Sequence, residues 1–306
     1  MGGILLAAHA MLSSDPRLPA SLPWLAAAAL AIQRWHIQLS RSGDPAAFIP
    51  LLLVLALWLG WLAARSGRAA AWMGAGGVVA APAGLALPWT AAGLVANAWL
   101  RGRPRVIHTG AWAGALVAAA FGLAALGLEG PPAPGVATDL HLGRAVAGVL
   151  GLFLVRGDPS PRFNVPGMPA LDILMAIPFV LGLIVALSRV RSAVYASWLA
   201  AGIAGLLPAL LIARGPDFRL GAGACVVAAL ICGQGLATIL GSAAARTDAP
   251  VPPRLRERGE TDAALQQQLD VMRRSGRAIV AAAILLGSCV YAMTVYVGPW
   301  ARLAGS

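Results

Sequence analysis

The stretch FLVRGDPSPRFNVPGMPALD, residues 153–172, sets Arg156, Asp158, Arg162 and Asn164 close together in an otherwise apolar chain. A guanidinium pairs bidentately with phosphate oxygens, and a carboxylate accepts from arginine or from backbone amides. Two arrangements satisfy these groups. One is a salt-bridged loop in which Asp158 takes Arg156, Arg162 or exposed amides. The other is a rim where Arg156 and Arg162 face an anionic headgroup or diphosphate, with Asp158 and Asn164 beside them. Pro159, Pro161, Pro166 and Pro169 stiffen the segment, and Gly157 and Gly167 permit tight turns.

Two further clusters carry the same chemistry. RWHIQLSR brings Arg34, Trp35, His36 and Arg41 to the lip of an apolar segment, as interface anchors or as a hold on a lipid phosphate. ARGPDFRL repeats the arginine and aspartate pattern with Arg214, Asp217 and Arg219. Asp139 and His141 are the only close acid and imidazole pair, and they read as part of a solvated loop.

Templates of soluble enzymes do not fit. The chain has no GxGxxG, P-loop or GxSxG motif, and His9, His36, His108 and His141 are scattered, so no metal site is expected. Cys225, Cys232 and Cys289 fall inside apolar runs and read as small buried hydrophobes rather than as a disulfide framework.

The elements that must position these residues are membrane helices. Hydrophobic residues make up 59% of the chain, charged residues 11%, and the mean hydropathy is +0.76. A spanning helix needs about 20 mostly apolar residues. Segments 46–64, 106–128, 172–188, 193–213, 220–240 and 278–297 qualify, and 18–33 is a shorter candidate with Pro23 as a possible kink. Residues 69–100 exceed one crossing and contain Pro82 and Pro88, which divides them into two short spans. The expectation is an all-α, polytopic integral membrane bundle of about nine transmembrane helices in a single domain, 1–306. Residues 1–13 are too short for a confident tenth span, and the opening lacks the basic region of a secretory signal.

The formal charge of +11 comes from 23 basic residues, all of them arginine, set mostly between apolar segments. That pattern belongs to cytoplasmic loops and not to a nucleic-acid face. It assigns Arg65, Arg68, Arg101, Arg103, Arg105, Arg189, Arg191 and segment 241–277 to the cytoplasm. Loops 34–45, 129–171 and 214–219 then lie outside it, and the opening motif with them. Within 241–277 a proline-rich linker precedes an expected amphipathic helix with Leu265, Leu269 and Met272 on one face, capped by Thr261 or Asp262.

A family resemblance rests on several of these segments in order. WHIQLSRSGDPAAFIPLLLVLALWLGW, WMGAGGVVAAPAGLALPWTAAGL, GLFLVRGDPSPRFNVPGMPALDILMAIPFVLGLIVAL and LLPALLIARGPDFRL resemble the membrane portion of bacterial GT-C glycosyltransferases. These are the polyprenyl-phosphate-sugar dependent enzymes related to protein O-mannosyltransferases and aminoarabinose transferases. The resemblance covers roughly residues 20–240 and is most specific from Arg156 to Asp172. It implies a multi-span fold with an extracytoplasmic cavity for a lipid-linked sugar, and an acidic residue in the first extracytoplasmic loop as base. The matching region begins several spans late, so the chain reads as truncated at its N-terminus without that acidic loop, and Asp15 does not fit the pattern.

The expectation is therefore a GT-C-like protein of the bacterial cytoplasmic (inner) membrane, multi-pass, without independent transfer activity. It retains a lipid-phosphate or headgroup site among Arg156, Asp158, Arg162, Asn164, Asp217, Arg219, His36 and Arg41, with no catalytic residue assigned. Two alternatives stand beside it. One is a structural or assembly subunit of a larger membrane complex. The other is an active glycosyltransferase completed by a partner chain, with a polyprenyl-phosphate-sugar as donor. Expected partners are membrane lipids and other membrane subunits, and no nucleic acid.

Overall fold

The computed structural model describes residues 4, 18–41, 47, 49–51, 54, 58, 142–160, 164–210, 216–241 and 260–295. Among these the fold is all helical, with no strand. The helices are α1 (Leu22–Ile32), α2 (Arg34–Arg41), α3 (Leu142–Gly151), α4 (Ile173–Ser188), α5 (Ala193–Pro208), α6 (Ala222–Ile239) and α7 (Glu260–Val295). The spans expected at 69–100 and 106–128 lie outside the described residues, as do most of 46–64 and the pair Asp139 and His141.

Helix α6 is the axis of the bundle, because its sequence is apolar on every face and small at the places where other helices cross. Cys225 through Ala237 are buried without interruption. A Cβ on Gly235 would overlap the Pro178 carbonyl oxygen of α4, and one on Gly182 of α4 would overlap the Ile231 carbonyl oxygen of α6. On another face, a Cβ on Gly205 of α5 would stand 2.6 Å from the Ala224 amide nitrogen. A third crossing sets Gly233 against α1, where a Cβ would lie 2.7 Å from the Ala26 nitrogen. Backbone packed on backbone is how helices associate where lipid removes the hydrophobic drive between them.

Pro23 sits in the first turn of α1, where a missing amide donor costs nothing, so it starts the helix and does not kink it. Helix α4 starts at Asp172, whose carboxylate accepts the Leu174 and Met175 amides at 2.9 Å each. The same oxygen accepts the Ser288 hydroxyl of α7 at 2.9 Å, which ties the start of α4 to the last helix.

The outward faces are as apolar as the inward ones. Helix α4 exposes Ile173, Ile177, Val180, Ile184 and Leu187 at helical spacing. Helix α7 buries Ala281, Ile284, Ser288 and Ala292 while exposing Ile279, Val280, Leu286, Val290 and Met293. A helix apolar all round at the edge of a bundle faces something other than water. Ala222–Ile239 and Leu269–Val295 are each long and apolar enough to cross a membrane.

The amphipathic segment and the last span, expected as separate elements, form one continuous helix from Glu260 to Val295. Arg273, Arg274 and Arg277 are good helix formers, so the charged run carries the helix onward instead of ending it. Leu269 is half-buried and Met272 is exposed, so these two do not share one buried face.

Candidate functional site

The three polar clusters of the sequence converge at the N-terminal end of α6. Residues 152–171 fold back on themselves through backbone pairing. Ala170 and Leu171 donate to Leu152 and Phe153 at 2.9 and 3.1 Å, and Gly157 donates to Gly167 at 3.1 Å. Gly167 has φ +77°, the left-handed region that glycine enters without strain. Gly157 is required for a different reason: a Cβ there would overlap the Met168 carbonyl oxygen.

Asp158 latches this loop to the bundle. One carboxylate oxygen accepts the Ser160 amide at 2.7 Å, and the other accepts the Phe218 amide at 2.8 Å. The side chain is 2% exposed, and among the described residues no arginine pairs with it. Of the partners expected for Asp158, the loop thus uses backbone amides. Burial pushes its carboxyl above the usual carboxylate range, opposed by the Phe218 and Ser160 amides and reinforced by the charge of Asp217. Asp217 in turn accepts the Leu220 amide at 2.8 Å, in the turn that leads into α6.

Asn164 is fully buried and acts from inside the loop, where its amide nitrogen donates to the Asp158 and Met168 carbonyls at 3.0 and 2.6 Å. Among the described residues its carbonyl oxygen Oδ1 has no hydrogen-bond partner. Arg156, on the outer side of the same loop, is exposed. Arg162 and Arg214 lie outside the described residues.

Helix α2 supplies the floor. Trp35 is fully buried, and its indole N–H donates to the Phe218 carbonyl at 2.8 Å. Its ring lies between Phe218 and Phe153, at centroid separations of 5.1 and 5.9 Å, and Phe153 stacks on Phe179 of α4 at 5.1 Å. Each such pair contributes roughly 0.5–1.5 kcal/mol beyond its burial. Arg34 is also buried and donates to the Pro169 carbonyl and to the Met168 sulfur, the latter at 3.6 Å. Burial lowers its pKa, offset by Tyr291 and Asp172. Trp35 and Arg34 are therefore internal ties and not anchors at a lipid interface. His36 is half-buried, and burial lowers its pKa; Arg41 is exposed.

The geometry brings Asp158, Asn164, Asp217 and Arg219 into one assembly with Trp35 and Phe218, and leaves Arg156 on its surface. Of the residues that hold it, Arg34 and Trp35 were read from sequence as interface anchors or as a hold on a lipid phosphate, and Asp172 and Phe218 were not assigned to the site. Asp172 carried a readable signal, an aspartate directly before an apolar run, which marks a helix start. Phe218 carried none, because it contributes only its backbone amide and carbonyl to distant partners.

Chemically, the assembly holds carboxylates already committed. Asp158, Asp172 and Asp217 each accept backbone amides in the role of turn or helix caps. Among the described residues no group of three or more histidine, cysteine or acidic side chains could hold a metal ion. No family model matches the chain, and no curated protein or solved structure matches it.

Proposed function

We propose that the chain is a multi-pass protein of the bacterial inner membrane, GT-C-like in architecture, that binds a lipid phosphate at an extracytoplasmic rim and does not itself transfer a glycosyl group. The observation that carries this reading is the commitment of Asp158. A general base needs a carboxylate within reach of the acceptor hydroxyl. Both oxygens of Asp158 already accept amides, one within the loop and one 60 residues away.

Arg156 supports the binding half of the proposal. It is exposed on a loop fixed to the bundle at Asp158, at Arg34 and by backbone pairs, so little ordering is needed to meet a phosphate. Arg162, six residues on in sequence, is the second arginine of the same motif. Guanidinium groups favour phosphate oxygens because the planar fork matches them.

The test is binding of a polyprenyl phosphate to the purified protein in detergent, read by native mass spectrometry. Arg156→Gln with Arg162→Gln is expected to weaken retention by about tenfold, the effect of a lost charge-assisted contact, while the melting temperature stays within a degree or two. Unchanged retention rejects the rim. Release of a glycosyl product from a lipid-linked donor by the purified chain alone rejects the noncatalytic half.

A further inference from the structure

The opposite end of the bundle carries a second basic feature that the rim does not explain. Arg273, Arg274 and Arg277 are exposed on α7, and among the described residues no ion pair engages them. Arg277 lies three residues from Arg274 and four from Arg273 and so neighbours each of them on the helix surface, while Arg273 and Arg274, adjacent in sequence, flank that line about 100° apart. Asp270 lies on the same face one turn earlier and offsets part of this charge.

Their depth is fixed by α6. Gly241, with φ +73°, closes that helix, and the Arg277 guanidinium lies over its backbone, so that a Cβ there would overlap the Arg277 Nη1. A cation at the carboxyl end of a helix is favourably placed against the helix dipole. Arg277 thereby marks the level on α7 that lies beside the end of α6. Arg273 and Arg274, one turn further out, stand just beyond the level where the apolar helix ends. Below them Ile279 and Val280 are exposed.

We infer that Arg273 and Arg274 hold the headgroup of an anionic glycerophospholipid, with its acyl chains along Ile279 and Val280. The inference rests on the membrane reading proposed above, but not on the rim. Charge complementarity selects the ligand: an exposed pair of guanidinium groups at headgroup depth, next to apolar surface, matches a lipid with a phosphate above and chains below. Arg277 lies against the end of α6, one turn below the other two.

The experiment uses the full chain, purified in mild detergent and titrated separately with phosphatidylglycerol and phosphatidylcholine, with bound lipid counted by native mass spectrometry. The wild type is expected to retain phosphatidylglycerol several-fold better. Arg273→Gln with Arg274→Gln is expected to abolish the preference, whereas Arg191→Gln, at an exposed arginine of the turn between α4 and α5, leaves it intact. Equal retention of the two lipids by the wild type overturns the site, as does an undiminished preference in the double variant. If the double variant does not fold, each single variant must lower the preference for the inference to stand. A chain that stays in solution without detergent removes the membrane reading itself, whereas a detergent-dependent chain without the preference removes this site alone.

Discussion

Gly235→Val is expected to collapse the yield of folded protein, because no rotamer of the new side chain avoids the Pro178 carbonyl. The overlap is with backbone and not with a flexible side chain, so relief requires α4 to move away from α6. That movement would also separate Gly182 from Ile231, the reciprocal contact of the same crossing. Overpacking of a close contact costs roughly 1–3 kcal/mol where side chains can adjust, and more where backbones meet. A suitable control is Gly276→Ala. Nothing lies within 4 Å of a Cβ there, and the residue sits inside α7. Replacing a helical glycine by alanine gains about 0.5–1 kcal/mol, so this variant should melt at or above the wild type. Fluorescence-detected size exclusion and thermal melts in detergent read both variants. A Gly235→Val protein that elutes and melts like the wild type would mean that the crossing does not exist.

Asp158→Asn is expected to unfasten the loop from α6. An amide of the same shape keeps one acceptor, but its NH2 group then faces either the Ser160 or the Phe218 amide. A buried donor left unsatisfied costs about 1–3 kcal/mol. The melting temperature should fall, and protease sensitivity should appear between residues 152 and 171 before the rest of the chain unfolds.

The pH dependence supplies an independent sign. Because the folded-state pKa of Asp158 is raised, its contribution to stability is fullest below the ordinary carboxylate range. It is lost as the pH rises through the raised value. Wild-type stability relative to Asp158→Asn should therefore decline as the pH rises from the ordinary carboxylate range through the raised value. A difference that grows with pH across that interval would contradict the burial of this carboxylate.

Much of the scaffold was legible because long apolar runs bounded by turn residues leave few alternatives. The spans expected at 172–188 and 220–240 match α4 (Ile173–Ser188) and α6 (Ala222–Ile239) within two residues, and that at 193–213 begins with α5 at Ala193. The last helix was harder. Its charged and apolar halves obey different rules of composition, yet the backbone continues through Arg273–Gly276 without a break.

The polar assembly was legible as three clusters on a common side, but not as a set of bonds. Trp35 and Arg34 have the composition of interface anchors. Only contacts to carbonyls at Phe218 and Pro169, more than a hundred residues away, make them internal. Asp158 is similar, since its outer partner is a backbone amide 60 residues on, and a backbone amide leaves no trace in residue type.

The central claim is that the Asp158 loop and the Arg273 end of α7 lie on opposite faces of a membrane, with the loop outside the cytoplasm. Cysteine labelling in intact bacterial cells tests it most directly. Cys225 and Cys232 are buried and Cys289 is exposed, so the starting protein is Cys289→Ser. Pro159→Cys and Ser275→Cys then report on two exposed positions, one at each end. A maleimide that cannot cross the inner membrane should label the Pro159→Cys variant in intact cells, and the Ser275→Cys variant only after that membrane is permeabilised. Labelling of both in intact cells, or of Ser275→Cys alone, would contradict the account.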